Sequence, residues 1–331
     1  MQVQQQPAVG TPRTATTSPP LEVLPPGWPA IPGEPEWLWQ SLRYQFWHPA
    51  DLARSIRHAG PFTVEQREAI AYWWSLLAAI EGLGPRAYAA AFVHATERHD
   101  SDQVRWSLLA MLRDALQHEQ LCRLVIERFA PGWPLAYRPQ TTLGRTANRH
   151  LGQVYQEAER CWDGYRRGLA QEGIGVTGGA LLGELVTGAL CEQWAAGCTM
   201  PAFATAFRHL ARDAQRHQAV LRSLAARDWP LLSAEGRSEV AAQVQATARL
   251  LSAAMLDPVA EQPGLPGDPA TSRRACHAAA CRAGLGVPDA ERRQELLRTA
   301  LLEIKDLQRR YDIPFPAMPG LAILATEQDT T

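Results

Sequence analysis

Lysine is almost absent from this sequence. Lys305 is the only one among 33 basic residues, and 34 acidic residues bring the net charge to −1. Nucleic acid and membrane surfaces are therefore not expected partners, because a neutral chain has no global attraction to anions. The longest uncharged stretch, of about fifteen residues, is too short to cross a bilayer. A signal-peptide profile is missing, and six cysteines without a dense framework are typical of a reducing cytosol. We therefore expect a cytoplasmic protein.

The sequence also lacks strand-length alternation of β-branched residues, which predicts an all-α fold. Nine prolines in residues 1–35 predict a disordered tail. A helical bundle is expected over 36–256, a Pro/Gly-rich linker over 257–289, and a C-terminal helix with its tail over 290–331. Within the bundle, the pattern predicts a kinked helix from Val64 to about Thr96, and further helices over 102–129, 142–168, 176–197, 201–227 and 233–255.

A repeat at an offset of 99 residues is the strongest signal in the chain. Residues 113–118 read Arg-Asp-Ala-Leu-Gln-His, and residues 212–217 read Arg-Asp-Ala-Gln-Arg-His. Asp114 and His118 in one copy therefore correspond to Asp213 and His217 in the other. Each copy lies in a predicted helix whose predecessor carries a glutamate within an apolar run. The repeat thus predicts two similar helical hairpins.

The glutamates in question are Glu81 and Glu184. In an antiparallel hairpin, residues equally distant from the turn lie at the same height. Glu81 and His118 are centred between residues 99 and 100, inside the predicted turn of the first hairpin. Glu184 and His217 are centred between residues 200 and 201, at the predicted turn of the second. The sequence therefore predicts a Glu–His pair at one level of each hairpin, as in metal sites built into helical bundles.

These motifs resemble those of the ferritin-like dimetal-carboxylate superfamily, and most of all its ribonucleotide reductase small subunits and p-aminobenzoate N-oxygenases. Members carry two copies of a Glu followed, roughly thirty residues later, by Asp-Glu-x-x-His. The resemblance covers about residues 64–227 and implies a four-helix bundle with a crossover helix, here 142–168, and extra terminal helices. The glutamate that follows the aspartate in the family's motif is replaced by Ala115 in one copy and by Ala214 in the other. Glu81, His118, Glu184 and His217 then carry over as metal ligands, and Asp114 and Asp213 as residues that orient the histidines.

Two arrangements of the metal site stay open. The four ligands could hold one iron or manganese ion, whose open positions would suit O₂ chemistry. Alternatively, Asp114 and Asp213 could also bind metal, because Asp and His four residues apart share a helix face. Each Asp-x-x-x-His would then hold one of two ions, and Glu81 and Glu184 would complete the site. The spacing resembles the Asp-x-x-x-His element of haem-oxygenase-like dimetal oxidases, which lack the doubled motif.

The resemblance implies a non-haem iron or manganese oxidoreductase that activates O₂ to oxidise a small organic substrate. An electron-donor protein and a homodimer are expectations by analogy with the family. The alternative is a ferritin-like bundle that has lost its metal and serves as a structural or partner subunit. In that case the acidic residues would pair with nearby arginines, such as Arg113, Arg212 and Arg216.

Overall fold

The structure is a computed structural model that describes residues 47–57, 60–133, 135–171, 176–257 and 269–318. Within those ranges all regular structure is helical, which confirms the all-α prediction. The predicted tail 1–35 lies outside the described residues. The helices are α1 (Pro49–Arg57), α2 (Val64–Glu81), α3 (Leu83–Glu97), α4 (Asp102–Phe129), α5 (Thr142–Gln171), α6 (Val176–Gly197), α7 (Pro201–Asp228), α8 (Ala234–Met255), α9 (Pro269–Arg282) and α10 (Ala290–Arg310), with a short 3₁₀ turn at Trp229–Leu231.

Helix α2 begins with a capping box. The Thr63 hydroxyl accepts from the Gln66 amide, and the Gln66 side chain accepts from the Thr63 amide. The two bonds satisfy donors that the first turn of a helix leaves unpaired. The predicted kink in the first long helix falls at Gly82, which joins α2 to α3 with helical dihedral angles.

Two antiparallel hairpins form the centre of the molecule. Helices α2 and α3 pack against α4, and α6 packs against α7. Helix α1 lies across both α4 and α7, so it spans the two helices that carry the repeated motif. Trp47, two residues before α1, is buried against this junction. The fold therefore brings the two copies of the repeat to one place.

Helix α5 is the crossover between the hairpins and packs against α2, α3 and α8. Its buried residues recur every three or four positions, which gives one continuous apolar face. They are Leu143, Ala147, Leu151, Val154, Ala158, Cys161 and Tyr165. The crossover predicted from the sequence is therefore helical and amphipathic.

The stretch predicted as a linker contains a helix, so that part of the prediction was wrong. Helix α9 packs against α2 and α5, and Cys276 on it is fully buried. Arg273 of α9 donates to the carbonyl oxygen of Ala254, and Arg293 of α10 donates to that of Met255 at 2.7 Å. Guanidinium groups at a helix C-terminus bind its unpaired carbonyls and complement its dipole. These bonds attach α9 and α10 to the end of α8.

By length and composition alone, the stretch Val64–Glu97 could cross a membrane. Half of its most apolar window is buried inside the protein, and core helices of soluble proteins also pass this test. Cytoplasmic localisation stays a prediction.

Candidate functional site

The structure brings the predicted Glu–His pairs together. His118 Nδ1 lies 3.0 Å from Glu81 Oε2, and His217 Nδ1 lies 2.9 Å from Glu184 Oε1. Both imidazoles are buried, and their rings stack with centroids 6.0 Å apart. The predicted equal heights are confirmed in both hairpins. The two pairs lie side by side in the interior of the bundle.

The two aspartates connect the hairpins instead of pairing with the histidine on their own helix. Asp213 of α7 contacts His118 Nε2 of α4 at 3.1 Å, and Asp114 of α4 contacts His217 Nε2 of α7 at 3.4 Å. Each histidine therefore has a glutamate of its own hairpin at Nδ1 and an aspartate of the other hairpin at Nε2. Both aspartates are buried.

Arginines complete this arrangement. Arg216 donates to both Asp213 and Asp114, and Arg113 Nε donates to Asp114 at 2.9 Å. Arg216 is buried, so its charge lies inside the bundle with those of the carboxylates. We call the eight side chains the buried cluster; they are Glu81, Arg113, Asp114, His118, Glu184, Asp213, Arg216 and His217. Its guanidinium groups bind the two aspartates, as the sequence suggested for Arg113 and Arg216.

Two aromatic residues that the sequence did not predict at this site contact the buried cluster. Trp47 Nε1 donates to Asp213 at 2.8 Å, and the indole stacks on His118 with centroids 5.9 Å apart. The Tyr88 hydroxyl donates to Glu184, and its ring packs edge-on against His217. Tyr88 lies seven residues after Glu81, a helical spacing that could have revealed it. Trp47 has no comparable signal.

The protonation of the buried cluster follows from these contacts. Burial opposes the charge on both imidazoles, but the carboxylate partners outweigh it. Glu81 and Asp213 raise the pKa of His118 well above its usual value, and Glu184 and Asp114 raise the pKa of His217 to about 9. Burial likewise opposes ionisation of Glu184, yet His217 and Tyr88 lower the pKa of this carboxyl. Without a bound metal, the two histidines are therefore protonated and positively charged.

A small pocket of about 40 Å³ adjoins the buried cluster, and both Glu81 and Glu184 line it. Most of its other walls are apolar, including Ile80, Leu83 and Leu250. A larger cleft of about 310 Å³ lies on the other side of Leu83, with Trp133 and Tyr155 among its lining residues. Among the described residues, Leu83 alone lines both spaces.

The alanines that follow the two aspartates of the repeat each pack closely against a glycine. A Cβ atom added at Gly84 would lie 3.0 Å from the Cβ of Ala115, and one at Gly188 would lie 3.2 Å from that of Ala214. Each alanine therefore packs against a glycine of the neighbouring helix, at a place where a second Cβ would be crowded. Among the described residues, no group of three or more His, Cys, Asp or Glu side chains is placed to hold a metal ion.

The fold and site define a helical bundle with a buried cluster of histidines, carboxylates and arginines between two similar hairpins. Comparison with known proteins gave no match to any family model, curated protein or solved structure.

Proposed function

We propose that the protein is a ferritin-like oxidoreductase that uses iron or manganese and O₂ to oxidise a small organic substrate. Glu81, His118, Glu184 and His217 would bind the metal. The supporting observation is the way each histidine is held. An aspartate faces Nε2 and a glutamate faces Nδ1, so if a metal ion replaced the Nδ1 proton, the aspartate would keep the proton on Nε2 and the glutamate would lie beside the ion. Such carboxylate–histidine contacts orient ligands around protein-bound metals.

The distances within each pair suit two ligands of one ion. Metal bonds to imidazole nitrogen and carboxylate oxygen are about 2.0–2.2 Å long, so perpendicular bonds place the two atoms about 3.0 Å apart. The observed N···O distances are 3.0 and 2.9 Å. A bound ion would supply redox and Lewis-acid chemistry to this site.

The residues around the site would orient Glu184 and bind the substrate. Tyr88 donates to Glu184 and so restricts where that carboxylate points. The pocket beside the two glutamates is small, at about 40 Å³, so few water molecules would fit there. A small organic substrate would fit the larger cleft, whose 310 Å³ is near the lower limit for ligand pockets. Leu83 would then separate the substrate from the glutamates.

Metal analysis of the purified protein tests this proposal. The protein should retain iron or manganese after expression in supplemented cells, or recover it when loaded with Fe(II) or Mn(II) without oxygen. Ligand loss should abolish binding in a double variant, His118→Ala with His217→Ala. His94→Ala is the matched control, because His94 lies on α3 outside the buried cluster. Metal loading of the double variant equal to that of the control would contradict the ligand assignment.

A second function is favoured by one observation. The imidazoles and carboxylates of the buried cluster already satisfy one another, and no described group of three donors surrounds a common point. A bundle of this kind could serve without metal as a structural or partner subunit. A wild-type protein that neither contains nor accepts iron or manganese would support this function over the first.

A further inference from the structure

We infer that the larger cleft, of about 310 Å³, binds an aromatic amino acid. The ammonium group of this ligand contacts Glu119, its carboxylate contacts Arg123, and its ring packs against Trp133 and Tyr155. The inference rests on the proposed function only in calling this molecule the substrate. The binding itself is argued from the cleft alone and does not require a metal ion.

The cleft has an apolar floor built from small residues. It lies where the end of α2 and the start of α3 meet α4 and α5. Three of its apolar lining residues are alanines, and their short side chains leave the space open. The apolar floor consists of Ala78, Ala79, Leu83, Ile126 and Ala158. A floor of this kind favours a ligand with an apolar body, because burial removes apolar surface from water.

Two aromatic residues add to this lining and favour an aromatic body. Trp133 is buried, and Tyr155 of α5 is half-buried. The loop that carries Trp133 is held in place by Glu127, whose carboxylate accepts from the Gly132 amide at 3.0 Å. Aromatic rings attract one another in offset or edge-on contacts, in addition to the surface that they bury. A ligand with a ring therefore gains more from this cleft than an aliphatic one.

The charged residues of the cleft leave one cation and one anion available to a ligand. Among the described residues, five charged side chains line it, and three of them are already bound to other groups. Arg86 pairs with Glu159 at 2.8 Å, and Glu127 accepts from the backbone amide mentioned above. Glu119 and Arg123 remain, and neither has an ion pair or a hydrogen bond within the part of the chain that the structure describes.

The spacing of Glu119 and Arg123 fits the charged end of an amino acid. They are four residues apart on α4, so they share one face of the helix and are separated by about 6 Å along its axis. This order and spacing favour an ion pair between the two, yet none forms. An amino acid carries its ammonium and carboxylate groups on one carbon and can bind both side chains. A ligand with a single charge would leave one of them unbound.

Isothermal titration calorimetry of the full chain, treated with a chelator, tests this inference. L-Phenylalanine and L-tryptophan are the ligands. Three comparison compounds each lack one part of phenylalanine: 2-phenylethylamine lacks the carboxylate, 3-phenylpropanoate lacks the ammonium group, and L-alanine lacks the ring. Each should bind at least about tenfold more weakly, since it loses a charge-assisted hydrogen bond or the burial of a ring. Equal binding of phenylalanine and a singly charged compound would overturn the inference, as would failure of both amino acids to bind.

Two variants connect each charge of the ligand with its side chain. Arg123→Gln should weaken the binding of phenylalanine about tenfold without weakening that of 2-phenylethylamine, which has no carboxylate. Glu119→Gln should weaken phenylalanine equally without weakening 3-phenylpropanoate. Both residues are exposed, so the variants should fold. Arg166→Gln is the matched control, because this exposed arginine of α5 does not line the cleft. Wild-type affinity in both cleft variants would overturn the inference.

A third variant locates the ring. Ala78→Leu places a larger side chain on the floor of the cleft and should abolish the binding of both amino acids. Unchanged binding in this variant would place the ligand elsewhere and overturn the inference.

The outcomes also separate this inference from the proposed function. Amino-acid binding by a protein that accepts neither iron nor manganese would support the cleft and overturn the proposed function. Metal binding without amino-acid binding would overturn this inference and leave the proposed function standing.

Discussion

At the scale of single residues, the crossed aspartates explain how the two hairpins are joined. Asp114 and Asp213 each accept a hydrogen bond from the other motif helix through His217 and His118. Arg216 contacts both aspartates and so links the same two helices again. Because all of these groups are buried, removing one leaves its partners charged and without water. The buried cluster should therefore stabilise the bundle whether or not metal is bound.

Asp213→Asn tests this role. The carboxylate of Asp213 accepts from Trp47, His118 and Arg216, whereas an amide has only one acceptor oxygen and would turn its NH₂ group toward a donor. We expect the free energy of unfolding to fall by about 3 kcal/mol, as for other broken buried ion pairs. Urea denaturation of metal-free protein measures the loss.

Asp163→Asn is the matched control for that substitution. Asp163 forms an ion pair with Arg166 on α5, and both side chains are largely exposed. Its replacement should change stability by less than about 0.5 kcal/mol. Equal effects of the two substitutions would show that the crossed contacts do not stabilise the bundle.

The sequence predicted the Glu–His pairs because helical rise converts residue number into height. It did not predict that each aspartate contacts the histidine of the other hairpin. Helical periodicity shows on which face of its helix Asp114 lies, but not which hairpin packs against that face. Trp47 was missed for a related reason. It lies 166 residues from Asp213, and only the path of α1 across both motif helices brings the two together.

At the scale of helices, the start of the crossover helix α5 depends on a buried carboxylate. Glu68 of α2 accepts from the backbone amides of Gln140 and Thr141 and from the Tyr137 hydroxyl. A carboxylate at a helix N-terminus binds unpaired amides and is favoured by the helix dipole. A Cβ atom at Gly144 would lie 2.3 Å from Glu68 Oε2, so glycine is required for this contact.

Gly144→Ala should therefore destabilise the protein by about 1–3 kcal/mol, the usual cost of overpacking a filled interior. Gly152→Ala on the same helix is the control, because no atom lies within 4 Å of the Cβ it would add. That change should stabilise by about 0.5–1 kcal/mol, since alanine is the better helix former. Thermal unfolding of both variants checks the opposite signs; a loss of stability in both would contradict the explanation.

Helix α9 shows where composition misleads. Residues 257–269 contain four prolines, and averaging over the whole stretch obscured a run that can form a helix. The run Ser-Arg-Arg-Ala-Cys-His-Ala-Ala-Ala-Cys-Arg has neither Pro nor Gly. What fixes it on the bundle is the bond from Arg273 to the end of α8, a contact that local patterning does not encode.

At the scale of the whole molecule, a second buried polar group lies where α2, α5, α8, α9 and α10 meet. Arg273 and Arg293 both lie over the Trp73 ring, and Asp257 pairs with each of them. His150 of α5 borders this group, with its Nε2 atom 3.4 Å from Arg273. Because an arginine can only donate, that nitrogen accepts, and the Nδ1–H is left to donate to the Tyr72 oxygen at 2.9 Å. The folded protein therefore holds a neutral imidazole.

This arrangement predicts a loss of stability in mild acid. Burial and the Arg273 charge lower the pKa of His150 to about 4, from about 6.5 in an unfolded chain. As the pH falls, His150 is protonated in the unfolded chain before it is protonated in the folded protein. The folded protein therefore loses stability relative to the unfolded chain as the pH falls from 6.5 toward 4. The full effect is about 3 kcal/mol. His150→Gln cannot titrate, so its unfolding free energy, followed by urea denaturation from pH 7 to pH 4, should fall less steeply than that of the wild type. Parallel curves for the two proteins would show that His150 is already protonated, or exposed to water, in the folded state.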